Sequence, residues 1–187
     1  HVDPESMCRF LFNALNAQPD LLMKCTPESI GDCLVRAASR GLEISDGMLG
    51  DCYLVPFKDQ ATLIVSYKGL KKLVRNTGQG LVVMDHVREG DSFTDNGPLQ
   101  PVGHVKSKDA DRHTKPVVAA YATMQFRNGL CVTKVMTIGE LLAHRNQYVQ
   151  ARNYKDASKP WNEGNVAFPR MCEKTCVRQL ASTGDLP

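Results

Sequence analysis

Three basic residues near the C-terminus, Arg170, Lys174 and Arg178, recur at every fourth position. At about 3.6 residues per helical turn this spacing gathers them into one sector, with Cys172, Cys176 and Leu180 opposite. A helix with one basic and one buriable face can seat on a core while offering a line of positive charge to phosphates. A second stripe lies between Tyr67 and Thr77, where Lys68, Lys71, Lys72 and Arg75 stand at i, i+3, i+4 and i+7 beside Leu70, Leu73 and Val74. Lysine-rich faces are often simply solvated, but no acidic residue lies between Asp59 and Asp85 to neutralise this one. Lys134, Arg145 and Arg152 are weaker candidates for the same chemistry. Tyr67, Tyr148, Tyr154 and Trp161 lie beside basic residues and could stack on bases, although packing against the core is the simpler expectation for each.

Other chemistries are less well supported. Cys172 and Cys176, one turn apart, could share a zinc ion, but no companion CxxC or His pair completes the set and both fall on the buriable face. Asp91, Asp95, His104, Asp109, Asp111 and His113 crowd one polar stretch and could in principle hold a divalent ion for phosphodiester chemistry; a hydrated loop is the simpler expectation. The sequence lacks a GxxxxGK[ST] phosphate loop, a GxSxG elbow and an HExxH pair, which disfavours ATP-driven, serine-hydrolase and zinc-protease chemistry.

The elements that must position these residues follow from periodicity. Asp3-Pro4-Glu5 reads as a helix start, and the helix ends before Pro19. Thr26-Pro27-Glu28 repeats the signal, with Ile30, Cys33, Leu34, Ala37 and Ala38 on one face up to Gly41. Asp51 to Phe57 and Ala61 to Ser66 predict a hairpin, Tyr67 to Thr77 a helix, and Leu81 to Arg88 a strand. Glu89 to Lys115 reads as a long loop with a short strand near His104-Val105. Val117 to Phe126 and Leu130 to Met136 predict a second hairpin around Asn128-Gly129, whose residues suit positive φ angles. Thr137 to Glu140 is a capping box, and Pro169 begins a last helix running to about Ala181. This order predicts an α+β fold with an antiparallel β-sheet and packed helices.

With 187 residues, 42% of them hydrophobic, the chain can bury one sizeable core, so a single domain over residues 1–182 is expected, with 183–187 as the start of a truncated C-terminal tail. A net charge of +3 permits a polyanionic partner without demanding one. Seven cysteines cannot all pair within the chain, and neither a signal peptide nor a membrane-length apolar run is visible, so a cytoplasmic location is expected.

Several ordered segments resemble the RecT family of phage and prophage recombination proteins. They are Lys24-Cys25-Thr26-Pro27-Glu28-Ser29, Gly41-Leu42-Glu43, Leu49 to Phe57, Ser66-Tyr67-Lys68-Gly69-Leu70, His86 to Phe93, Ala119-Ala120-Tyr121-Ala122, and Met171 with Lys174-Thr175 and Arg178. The resemblance covers roughly residues 19–180 and implies a RecT/Redβ-like annealing core. It further implies ATP-independent binding and annealing of complementary single DNA strands in homologous recombination, without a covalent catalytic site. It implies a homo-oligomeric ring or filament, a 5′→3′ exonuclease partner, contact with a host single-strand-binding protein, and a bacterial cytoplasm as the setting. No cofactor is implied, a divalent cation acting only as a modulator of DNA binding. Lys68, Lys174, Thr175 and Arg178 fall on motif positions and lead the candidate DNA contacts; Lys71, Lys72 and Arg75 rest on the stripe alone. The alternatives are a metal-dependent nuclease using the acidic-histidine stretch and a passive single-strand coat that binds without pairing.

Overall fold

The computed structural model describes residues 3–45, 50–148, 156 and 158–183. By packing, the chain falls into two compact units, His1–Gly78 and Gln79–Pro187.

The first unit comprises helices α1 (Pro4–Ala17), α2 (Pro19–Lys24) and α3 (Pro27–Ser39), an antiparallel hairpin of β1 (Cys52–Phe57) and β2 (Gln60–Val65), and helix α4 (Tyr67–Asn76). Asp3 caps α1 by accepting the Ser6 N–H at 2.9 Å, and Thr26 caps α3 by accepting that of Ser29 at 3.3 Å; each helix has proline in its first turn. The short α2, which the sequence reading left unassigned, starts at Pro19 and buries Leu21 completely. Leu21, Ala37, Leu42, Ile44 and Cys52 form the fully buried centre of this unit's core.

The second unit is built on an antiparallel sheet in the order β3 (Gly80–Arg88), β6 (Val117–Phe126), β7 (Cys131–Thr137). Between β6 and β7 only Gly129 takes positive φ, at 88°; Asn128, expected to share it, instead accepts the Leu130 N–H through its side chain at 3.1 Å. The predicted capping box is present, with Glu140 accepting the Thr137 N–H at 2.7 Å at the start of α5 (Ile138–Tyr148). Helix α6 (Phe168–Ser182) packs on one face of the sheet.

The opposite face is covered by residues 89–116, where the short strand expected near His104-Val105 is present but is paired rather than isolated in a long loop. They contain a small hairpin of β4 (Ser92–Thr94) and β5 (Gly103–Val105) and a single 3₁₀ turn at Arg112–Thr114. Phe93 stacks on Tyr121 at 5.9 Å, and His104 meets both rings edge-on. The centre of the excursion is Asp91, whose side chain is wholly buried. Arg112 donates to both its oxygens at 2.6 and 2.5 Å, the backbone N–H groups of Arg88 and Ser107 each donate at 2.9 Å, and His104 Nε2 lies 3.1 Å away. A buried carboxylate is tolerable only with such complete pairing. The HVREGDSF segment is thus a structural motif that folds the excursion back onto its own sheet.

Candidate nucleic-acid interface

Helix α6 has the two faces that its spacing predicts. Cys172, Cys176 and Leu180 are fully buried and Val177 nearly so, while Arg170 and Arg178 are exposed and Lys174 is half-buried. Burial pushes both thiols up to about 12, so neither is a ready thiolate ligand. Apolar and thiol groups hold the helix to the sheet, and the three cations line its outer side. Thr175 lies apart from them: it is 5% exposed, and its hydroxyl donates to Met171 O at 3.0 Å. Expected at a DNA contact, it is found as a packing residue on the inner side of the helix.

Arg145 differs from its expected role for a similar reason. It is buried, and its guanidinium donates to Trp161 O at 3.2 Å and to Glu163 Oε1 at 3.3 Å, clasping α5 to the segment before α6. Trp161 is half-buried and meets Phe168 edge-to-face at 6.2 Å. Lys134, half-buried on β7, shares the α6-facing side of the sheet with Ala122 and Met84, with its charge felt at Cys176 and Glu140. Tyr148 is exposed beside His144, at 4.7 Å between rings. Arg152 and Tyr154 lie outside the described residues.

Helix α4 begins at a tight N-cap. Ser66 Oγ accepts the Lys68 and Gly69 N–H groups at 3.1 and 3.2 Å and donates to Gly50 O at 2.6 Å. A Cβ on Gly69 would lie 2.1 Å from Asp51 O, so only glycine lets the helix approach that backbone. The glycine and serine of the SYKGL segment therefore position α4. Lys68 and Arg75 are exposed, while Tyr67 and Lys71 are half-buried. Lys72 is not left to solvent: it pairs with Asp51 at 2.5 Å and Glu43 at 3.2 Å. Burial works against its charged form, but the hydrogen bonds to these two carboxylates win, and its pKa is raised. The acids missing from the neighbouring sequence arrive from the preceding loop. The α4 and α6 stripes belong to different units, and each is a surface of its own unit.

The acidic-histidine stretch is engaged internally rather than gathered around a common point. Besides the Asp91 cluster, Asp109 and Asp111 meet Lys115 at 2.6 and 3.7 Å, Asp95 accepts the Gly97 N–H at 2.9 Å, and His113 faces Ala110 O at 3.2 Å. What the sequence reading missed is Glu173, buried on α6 and bonded to Arg170 at 2.7 Å and to His86 at 2.7 Å. Its i, i+3 spacing from Arg170 was the available signal.

The RecT family model matches residues 8–184. The chain is 29% identical to Protein RecT of Escherichia coli K12 across 96% of its own length and 66% of that relative, so it spans just under two thirds of the curated protein. Among the described residues no helix is long and apolar enough to cross a membrane. With the family pattern covering nearly the whole chain, this chain belongs to the RecT family.

Proposed function

We propose that this chain binds single-stranded DNA through its phosphates and anneals complementary strands without ATP, as a homo-oligomer working in recombination beside a 5′→3′ exonuclease and a host single-strand-binding protein in a bacterial cytoplasm. The observation that carries the reading is the one-signed outer face of α6, Arg170, Lys174 and Arg178, within a chain matched to the RecT family over residues 8–184. Lys68, Lys71 and Arg75 on α4 form a second contact line. Cations that hold phosphates position a strand without reading it, leaving base edges free so that Watson–Crick pairing supplies specificity. No cofactor takes part; divalent cations modulate binding by competing for the phosphates.

The test mixes two dye-labelled complementary oligonucleotides with the protein in the absence of nucleotide. Annealing should accelerate, and affinity for a single strand should fall steeply with salt while depending little on sequence. Binding without faster annealing would favour a passive coat; strands shortened in the presence of Mg²⁺ or Mn²⁺ would favour a nuclease. A flat salt response would remove the phosphate-contact mechanism.

A further inference from the structure

Among the described residues, Asp85, His86 and Glu173 bring potential ligand atoms within 4.8 Å of one another. Their other partners decide whether the cluster suits a metal or a proton. His86 Nδ1 lies 2.7 Å from Glu173 Oε1 and 3.5 Å from Asp85 Oδ1, while Arg88 Nε donates to His86 Nε2 at 3.3 Å. A guanidinium can only donate, so Nε2 must accept. The hydrogen-bond network thereby assigns the ring hydrogen to Nδ1, pointing at Glu173. A metal on Nδ1 would need the lone pair at that atom and a hydrogen on Nε2 facing Arg88. Both carboxylates are also already met by cations, Asp85 by Lys106 at 2.6 Å and Glu173 by Arg170 at 2.7 Å. The cluster is a hydrogen-bond relay.

The relay runs from the sheet to the outer side of α6. Arg88 NH1 donates to Lys115 O, Arg88 Nε to His86, His86 to Glu173, and Arg170 donates to the other oxygen of Glu173. Its exposure is graded: the Glu173 side chain is 8% exposed and that of Arg170 55%. We propose that Glu173, oriented by His86, is a positioning residue that holds the Arg170 guanidinium for a DNA phosphate, an inference that rests on the strand-binding reading of α6. NH1 takes the carboxylate, and the rest of the guanidinium fork can meet the phosphate. A long side chain held this way loses less freedom on binding than an untethered one.

A double-mutant cycle on affinity for an oligothymidine strand tests this. Arg170→Ala should weaken binding about tenfold and Glu173→Gln about fivefold, with the double variant no weaker than Arg170→Ala alone. His86→Asn, whose amide N–H can stand in for Nδ1–H, should bind within about twofold of the parent, and His86→Leu should match Glu173→Gln. The cycle is repeated with His86→Leu in place of Glu173→Gln, so it does not hang on one variant folding. Parent-like binding by Arg170→Ala, or losses from Glu173→Gln or His86→Leu that persist undiminished without Arg170, would overturn the relay. So would a thermal shift with Mn²⁺ or Zn²⁺ that disappears in His86→Asn. Failure of the strand-binding reading itself looks different: the parent protein then shows no salt-sensitive binding at all.

Discussion

In the excursion over residues 89–116, five acids stand against four lysines and arginines, and the structure sets several of them against one another: Asp91 with Arg112, Asp109 and Asp111 with Lys115. On α6 the outer side carries Arg170, Lys174 and Arg178, and the acid within that span, Glu173, is turned inward. Both regions are dense in charge, yet on α6 the described cations are gathered on one outward side while the acid among them is buried. Charge serves the fold where opposite signs meet out of water, and it can serve a polyanionic ligand where one sign is left facing out. Composition cannot separate the two cases, because a count of charges does not say which of them meet in the folded chain.

The contrast can be broken most forcefully at Asp91. Asp91→Ala leaves Arg112 without its buried partner and should lower stability by about 3–5 kcal/mol, read as a fall in the denaturant midpoint. The hydrogen bonds from Arg112 hold the Asp91 carboxyl far below the usual carboxylate range, burial opposing them. Because its folded-state pKa lies below its unfolded value, its contribution is fully present above about pH 4 and is lost as pH falls through the window below. Acid melts of the parent should therefore show a decline beneath pH 4 that is much shallower in Asp91→Asn.

The inner side of α6 should respond next. Changing both Cys172 and Cys176 to Ala removes two fully buried sulfurs and should cost about 2 kcal/mol, while DNA affinity per folded molecule stays unchanged. Thermal melts followed by titration of the folded fraction separate these effects; stoichiometric zinc in protein purified without added metal would contradict the packing role.

On the outer side the pattern should reverse. Lys174→Ala and Arg178→Ala should each weaken single-strand binding about tenfold, equivalent to about 1.4 kcal/mol, and reduce the salt slope by about one, uniformly across sequences. Their melting should stay within about 0.5 kcal/mol of the parent. If both variants fold normally and anneal oligonucleotides at the parent rate at moderate salt, α6 does not line the DNA path.

The smallest effect belongs to Lys72, which stands between the two cases because it lies on a basic stripe yet is clasped by Asp51 and Glu43. Lys72→Ala should cost about 1 kcal/mol of stability and change the salt slope less than Lys68→Ala does. An equal slope change in the two would return Lys72 to the binding surface.

Most elements were legible because their signals are local. Caps at Asp3, Thr26 and Thr137, prolines at helix starts, and the period of Val117–Phe126 depend on neighbours a few residues away. So does the two-sided character of α6, since helical geometry alone sets Arg170, Lys174 and Arg178 against Cys172, Cys176 and Leu180. The motif resemblance to the RecT family was also in the sequence, as the ordered segments from Lys24 to Arg178.

Only the tertiary structure decided which charges have partners. Lys72 meets Asp51 from 21 residues away, Arg112 meets Asp91 from the same separation, and Glu173 meets His86 from 87. No periodicity reports such pairings, so the absence of acids between Asp59 and Asp85 said nothing about Lys72, and motif position said nothing about the burial of Thr175. The burial of Arg145 and the ordering of residues 89–116 belong to the same class. The physical reason is that secondary structure is chosen by contacts three or four residues apart, whereas a buried charge is stable only beside whatever the folded chain brings to it.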